Sequence, residues 1–268
     1  MNTSIYVVTH KQFNPPKIKG YYPIEVGADL HTADLGYIKD NTEENISDRN
    51  KNYCELTALY WIWKNDRKSD IVGICHYRRY FSKYLFDNNP VYYLTVKDVE
   101  STLSNYDMIL PAKFFWLKHN VASGYYEAGQ GRKKDLLIAK KVIKEKYPQY
   151  LNSFMKVLDA REASYCNMMI CKKEIFDEYC YWLFDILFEI EKRTDITDYT
   201  VAEARIYGYL SEILLNVWVD YKKLRVKYCN VAVNKSLTRK RAPLAKIEKI
   251  PIIGYLSRIL LCMDLNSL

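Results

Sequence analysis

Residues 45–81 contain, in direct succession, the pattern of a helix, a buried strand and a polar cluster; their sequence is NISDRNKNYCELTALYWIWKNDRKSDIVGICHYRRYF. Large apolar side chains recur at helical spacing, at Tyr53, Leu56, Tyr60 and Trp63. This spacing places them on one face of a helix, and Ser47 is a residue type that caps helix starts. The run from Ile71 to Cys75 is continuously apolar, as expected for a strand covered on both faces. We therefore predict a helix from Ser47 to Asn65 and then a central buried strand.

The polar cluster follows this strand directly and consists of His76, Tyr77, Arg78 and Arg79. In open α/β sheets, ligands bind beyond the carboxyl ends of the strands. One interpretation is a solvated loop whose arginines pair with nearby carboxylates. The other is an anion site, because the planar guanidinium group matches the geometry of a phosphate. The position at a strand end favours the anion site.

Several motifs in this order resemble the DUF 4422 family of bacterial glycosyltransferases. Beside the central stretch they are IYVVTHK (5–11), VGA (26–28), DMILP (107–111), NMMICKKEIFDEYCYWLF (167–184) and RIYGYLSE (205–212). The resemblance extends from Ile5 to Val219. It implies a nucleotide-sugar glycosyltransferase with a GT-A-like fold, acting in the assembly of capsule, exopolysaccharide or lipopolysaccharide O-antigen. Some members of the family are tied to galactofuranose transfer.

The chain has 268 residues and no glycine- or proline-rich linker, which favours one large domain. We expect an α/β fold: a single GT-A-like (Rossmann-like) domain over residues 1–233, with a mostly parallel central sheet flanked by helices. A basic amphipathic tail follows over residues 234–268. Other strands are predicted at 4–9, 22–28, 106–110, 164–171 and 224–233, and other helices at 95–104, 132–146, 173–192 and 205–219.

Composition excludes several classes of protein and site. The seven cysteines include no CxxC pair, and no signal peptide is recognisable, so we expect a cytoplasmic protein. Four scattered histidines lack zinc-site spacing, and no apolar run is long enough for a membrane span. The net charge is +8, yet no nucleic-acid-binding motif is present, so nucleic acid is not an expected partner.

The donor side of the site is predicted at strand ends and at the start of the central helix. The first strand of a nucleotide-binding α/β fold ends near the base and ribose, which selects Thr9 and His10. An amide inside a buried strand needs hydrogen-bond partners, and for Asn167 we expect donor sugar hydroxyls. The predicted donor-binding residues are Thr9, His10, Asn45, Arg49, His76, Tyr77, Arg78, Arg79 and Asn167.

The predicted catalytic residue is Glu212. It lies among apolar residues of a helix, where partial desolvation would raise its pKa toward that of a general base. The resemblance also places the base of an inverting transferase at this position, although the family pattern often continues with Arg where this chain has Ile213. Asp40 and Asp135 are weaker candidates on the acceptor side.

No metal or cofactor is expected. Many GT-A enzymes hold a divalent metal with an Asp-x-Asp pair after the central strand, whereas this chain has HYRR there. Fixed guanidinium groups would neutralise the UDP leaving group instead. The expected partners are a UDP-sugar and a glycan or lipid-linked glycan acceptor.

Two other functions remain open at this point. One is a non-catalytic sugar-nucleotide-binding subunit of a polysaccharide assembly complex, and the other is a metal-dependent nucleotidyltransferase, which would require paired carboxylates at the strand end.

The tail also has two interpretations. Residues 235–261 combine basic and Leu/Ile-rich positions and are predicted to lie on the inner face of the cell membrane. Pro251 and Gly254 interrupt this pattern, so docking on the protein's own core or a second subunit is the alternative.

Overall fold

The computed structural model describes residues 1–85 and 87–233, so the predicted tail from residue 234 lies outside the described residues. The strands are β1 (Thr3–Thr9), β2 (Tyr21–Glu25), β3 (Ile38–Lys39), β4 (Ile71–His76), β5 (Arg79–Ser82), β6 (Met108–Pro111), β7 (Phe114–Phe115), β8 (Glu162–Ala163), β9 (Met169–Lys172) and β10 (Val226–Val233). The helices are α1 (Asn50–Tyr53), α2 (Leu56–Asn65), α3 (Val96–Leu103), α4 (Val121–Glu127), α5 (Lys133–Lys146), α6 (Leu151–Asp159), α7 (Lys173–Arg193) and α8 (Ile206–Lys222). None of these helices is long and apolar enough to cross a membrane.

The predicted α/β fold is confirmed, but its main sheet is mixed, so a mostly parallel sheet is not confirmed. Strands β3, β2, β1 and β4 are parallel neighbours. Strand β9 then runs antiparallel to both β4 and β6, and β10 is parallel to β6 but antiparallel to β5. Only Tyr77 and Arg78 separate β4 from β5, and a connection this short joins antiparallel strands. The HYRR cluster is therefore a tight hairpin turn.

The direction of β9 determines where the polar groups of the fold meet. Ile74 of β4 lies opposite Met169, and Ile109 of β6 lies opposite Ile170. Because β9 is antiparallel to both neighbours, its first residues lie at the same sheet edge as the last residues of β1, β4 and β6. The segment just before β9 is thus brought beside the HYRR turn.

The central strand is buried on both faces, as its sequence predicts. Val72 and Ile74 belong to one hydrophobic cluster, with the apolar faces of α2, α7 and α8, while Ile71 and Cys75 belong to a second cluster on the opposite face. At Gly73 the neighbouring strands approach closely, since an added Cβ would lie 3.0 Å from the Ile5 and Ile170 side chains. This packing fixes the strand that carries His76.

The helix predicted from Ser47 to Asn65 is interrupted. A short 3-10 turn precedes α1, and Cys54 separates α1 from α2 with φ 53° and ψ −130°. Ser47 does not cap the helix: its hydroxyl donates a 2.5 Å hydrogen bond to Oδ1 of Asp40, and its oxygen accepts a 3.2 Å hydrogen bond from the Asp29 amide. The break matters for the site, since both Cys54 and Glu55 face the cleft described below.

Candidate active site

A cleft of about 1060 Å³ opens at the sheet edge where β1, β4 and β6 end. Its lining comes from the end of β1, the β4–β5 turn, the α1–α2 junction, the segments around β7 and before β9, and the first turns of α8. Distant parts of the sequence therefore contribute to one site. Of the predicted site residues, it brings together Thr9, His10, His76, Tyr77, Arg78, Arg79 and Glu212.

Arg78 and Arg79 supply positive charge to the cleft and are both exposed. Within residues 1–85 and 87–233, the arginines that form ion pairs are Arg49, Arg132, Arg193 and Arg225. The interpretation of Arg78 and Arg79 as partners of nearby carboxylates is thus not what the described residues show. The Arg78 guanidinium carbon lies 4.8 Å from the centroid of the Tyr77 ring, so this aromatic side chain supports the cation.

A further arginine, Arg205, lines the same cleft and was missed by the sequence analysis. Its Nε donates a 3.1 Å hydrogen bond to Sγ of Cys54, and its guanidinium lies 5.4 Å from the Tyr209 ring. Arg205 precedes Glu212 by seven residues, which is about two helical turns. That spacing, with Gly208 and Tyr209 between, is the sequence signal that places Arg205, in the turn before α8, on the same side as Glu212.

Glu212 is half-buried on the cleft wall. Its Oε1 accepts a 2.7 Å hydrogen bond from the backbone amide of Cys166. Burial and, next, the negative charge of Glu55 raise the pKa of Glu212 to about 8, against the opposing effects of the Cys166 amide, Arg79 and Arg205. A carboxylate with this pKa is suited to accept a proton near neutral pH.

Glu55 is the second carboxylate of the cleft, and the sequence analysis missed it. Its Oε1 accepts a 2.8 Å hydrogen bond from the side-chain amide of Asn167. In the sequence it appears as one more polar residue on an amphipathic helix. Glu55 lines the cleft because the helix breaks at Cys54.

Asn167 does not have the place that the sequence predicted for it. It is 1% exposed and absent from the cleft lining. Its amide nitrogen donates to Glu55 and to the Gly208 carbonyl, and its oxygen accepts from the Ser211 hydroxyl. The amide that we expected to bind donor sugar hydroxyls is thus occupied by protein groups, and it positions Glu55.

The backbone beside the two carboxylates has unusual conformations. Cys54, Cys166 and Asn167 all have positive φ, at 53°, 79° and 48°. Non-glycine residues in this region store strain, which collects at functional sites. Here one such turn presents Glu55, and the other presents the amide that holds Glu212.

His76 presents an unsatisfied polar atom. Its Nε2 is buried and has no hydrogen-bond partner among the described residues. Burial lowers the pKa of His76, as do Arg79 and Arg78, while Glu55 acts in the opposite direction. The neutral ring leaves Nε2 available to a ligand.

His10 and Thr9 line the cleft at the end of β1. The His10 ring meets the Tyr77 ring edge-on at 5.4 Å, and partial burial and the cations Lys11, Arg78 and Arg205 lower its pKa. The Thr9 hydroxyl donates a 2.6 Å hydrogen bond to the Lys11 carbonyl. Thr9 therefore shapes the turn that holds His10.

Two predicted donor-binding residues lie outside the cleft. The Asn45 side chain accepts a hydrogen bond from the Ser47 amide and donates one to the Glu43 carbonyl, which closes a local turn. Arg49 forms a 2.8 Å ion pair with Glu191. Both side chains engage local partners away from the cleft lining, so the structure does not bring these two residues together with the other predicted donor-binding residues.

The two acceptor-side candidates also lie outside the cleft, and both are fully buried. Asp40 accepts hydrogen bonds from the backbone amides of Gly27 and Ala28 and from the Ser47 hydroxyl. Asp135 accepts them from the Tyr125 and Tyr199 hydroxyls and the Arg132 amide. Asp40 thus stabilises a loop, whereas Asp135 holds the N-terminus of α5. Among the residues that the structure describes, no three His, Cys, Asp or Glu side chains are grouped so as to hold a metal ion.

Comparison with known sequences now identifies the family. The family described as a domain of unknown function, DUF4422, matches residues 4–223. The chain belongs to the DUF4422 family. A comparison with curated proteins found no match.

The fold of this DUF4422 chain is similar to that of WbbM, a bifunctional glycosyltransferase solved in its apo form. The TM-score is 0.82 at 27% sequence identity, and the match covers 89% of this chain and 46% of the WbbM chain. The DUF4422 chain thus spans somewhat less than half the length of that relative.

Proposed function

We propose that residues 1–233 form a glycosyltransferase domain that transfers a hexose, galactofuranose or galactose, from a UDP-sugar to a surface polysaccharide or lipid-linked acceptor. The observation that carries this proposal is the placement of Glu212, with its raised pKa, in the same cleft as Arg78 and Arg79. The DUF4422 family and the similarity to WbbM support it.

Arg78 and Arg79 bind the donor diphosphate in this proposal. Both are exposed in the cleft, and neither forms an ion pair with a described carboxylate. Charge-assisted hydrogen bonds from guanidinium groups to phosphate oxygens are among the stronger ones in proteins. They neutralise the charge that develops on UDP as it leaves, so transfer does not require a divalent metal.

Glu212 acts as the general base. It removes the proton from an acceptor hydroxyl, whose oxygen forms a bond to C1 of the donor sugar. The bond between C1 and the UDP oxygen breaks at the same time, and UDP leaves with the electron pair. The oxygen attacks from the face opposite the leaving group, so the anomeric configuration inverts. Burial and, next, the nearby Glu55 charge keep the pKa of Glu212 high enough for it to accept this proton.

At position 213 this chain has Ile where the family often has Arg, and this difference bears on the alternative function of a non-catalytic subunit. Ile213 is 2% exposed and belongs to the hydrophobic core. The position where the family often has Arg therefore points away from the cleft in this chain. Arg79 and Arg205 are the cations whose charges act on Glu212, and this favours a catalytic role.

Release of UDP from a panel of UDP-sugars tests the proposal. The panel consists of UDP-galactose, UDP-galactofuranose, UDP-glucose and UDP-N-acetylglucosamine, each with and without EDTA. We expect release from one of the hexose donors, unchanged by EDTA. A binding subunit would retain UDP affinity without release. A metal-dependent nucleotidyltransferase would release pyrophosphate from a nucleoside triphosphate and stop in EDTA.

A further inference from the structure

An aromatic surface forms part of the cleft wall and has no role in the mechanism above. Phe114 and Trp116 both line the cleft and are half-buried. Their ring centroids are 4.9 Å apart at an interplanar angle of 82°. Tyr165 lines the cleft beside them, and its hydroxyl oxygen accepts a 2.8 Å hydrogen bond from Trp116 Nε1.

This aromatic surface is held rigidly. Phe114 lies opposite Ala163 in the β7–β8 ladder, and the Trp116 amide donates a 2.7 Å hydrogen bond to the Arg161 carbonyl. Gly124 of α4 packs against the indole, since a Cβ there would lie 2.8 Å from Trp116 Cε2. A surface fixed in this way loses little conformational entropy when a ligand binds.

The aromatic surface and the cationic groups approach Glu212 from different strands. Tyr165 is adjacent to Cys166, whose amide holds Glu212, and Phe114 follows β6. His10 follows β1, and Arg78 follows β4. Along the sheet edge the start of β9 lies between the ends of β4 and β6. Glu212 therefore lies between the cationic side and the aromatic side.

We propose that Phe114, Trp116 and Tyr165 form the acceptor subsite and bind one sugar ring of the acceptor glycan by stacking. The inference rests on the proposed glycosyltransferase function. A sugar ring has an apolar C–H face, which packs on aromatic rings, and a rim of hydroxyls that needs polar partners. The cleft offers such partners in the Tyr165 hydroxyl and in the side-chain amide of Gln130, which has no hydrogen-bond partner among the described residues. Apolar walls with a few directed polar groups are typical of small-ligand sites.

Saturation-transfer NMR with simple glycosides tests this subsite directly. The probes are methyl β-D-galactopyranoside, methyl β-D-galactofuranoside and methyl β-D-glucopyranoside, each added to the full chain in the presence of UDP. We expect saturation transfer to at least one probe, at least fivefold weaker in Trp116→Ala and also weaker in Phe114→Leu, which keeps an apolar side chain but removes the aromatic face. Tyr181→Ala is the matched control, because Tyr181 is 65% exposed on α7 and lies outside the cleft lining.

UDP affinity, measured on the same samples, separates the possible failures. We expect it to stay within twofold of the wild type in all three variants. Wild-type protein that releases UDP from a donor but shows no saturation transfer to any probe overturns the subsite alone. Saturation transfer in Trp116→Ala and Phe114→Leu that equals that of the wild type also overturns the subsite. So does a loss of UDP affinity in both variants that parallels the loss of saturation transfer. Wild-type protein that does not bind UDP refutes the proposed function itself.

Discussion

The side-chain amide of Asn167 donates a 2.8 Å hydrogen bond to Oε1 of Glu55, although 112 residues separate the two in the chain. The same amide group is fixed by Gly208 and Ser211 at the start of α8. Asn167 thus ties the α1–α2 junction to the helix that carries Glu212. The structure couples two carboxylates of one cleft through a residue that does not itself line the cleft.

The first prediction concerns the pH dependence of transfer. Burial and, next, the negative charge of Glu55 raise the pKa of Glu212 to about 8. A general base works only when deprotonated, so kcat/KM should rise with pH through that pKa. Glu55→Gln removes the charge and lowers the pKa, and the rising limb should move to lower pH. Glu178→Gln, an exposed change on α7, is the control. A limb that stays in place in Glu55→Gln would show that Glu55 does not act on the base.

The second prediction concerns donor binding. Replacing Arg78 or Arg79 with Ala removes a charge-assisted contact of roughly 1.5–3 kcal/mol, so UDP affinity should fall tenfold or more. Arg49→Ala is the matched control, because Arg49 pairs with Glu191 outside the cleft. Its UDP affinity should stay within twofold. Isothermal titration with UDP measures all three variants, and unchanged affinity in both cleft variants would remove the arginines from the donor site.

Apolar patterns in the sequence predict the buried faces of this fold but not the pairing of its strands. The apolar periodicity of the helix predicted at 173–192 is confirmed by α7 (Lys173–Arg193), and the burial of β4 on both faces is confirmed. Periodicity reports which side chains are buried but not which strand lies alongside. The antiparallel insertion of β9 between β4 and β6 therefore was not predictable from local pattern.

The sequence predicts those site residues whose position along a strand or helix places them in the cleft. His76, Arg78 and Arg79 lie in the cleft because they follow the central strand, and Glu212 because of its face on α8. Asp40 lies outside the cleft lining and holds loop amides, and the sequence alone does not distinguish such a carboxylate from one that binds ligand. Glu55 was missed because its exposure to the cleft depends on the helix break at Cys54, a non-glycine residue with positive φ.

A third prediction separates structural carboxylates from catalytic ones. Asp135→Ala leaves the Tyr125 hydroxyl, on a buried residue, without its acceptor, which costs about 1–3 kcal/mol. The free energy of unfolding in urea should fall by at least that amount, because the Tyr199 hydroxyl and the Arg132 amide lose their acceptor as well. Asp34→Ala, which removes an exposed ion pair with Lys39, should change it only slightly, because exposed ion pairs contribute little to stability. An Asp135→Asn variant with wild-type stability but no transfer would instead assign Asp135 a direct catalytic role.

A fourth prediction concerns the tail, which lies outside the described residues. Its basic residues between 235 and 241 are Lys235, Arg239, Lys240 and Arg241. If residues 235–261 contact an anionic membrane, each such residue contributes about 1 kcal/mol. Replacing all four with Gln in the full chain should strongly reduce co-sedimentation with phosphatidylglycerol vesicles. Equal sedimentation of both proteins, or none by the wild type, would refute the membrane contact.

Glu212→Gln tests the central claim most directly. Gln keeps the shape of the side chain and an oxygen that accepts the Cys166 amide hydrogen bond, but it does not accept a proton from the acceptor hydroxyl. Sugar transfer should fall by roughly 10²–10⁴-fold, while UDP affinity stays within twofold of the wild type. Near-normal transfer by a folded Glu212→Gln protein would contradict the account and place the base elsewhere.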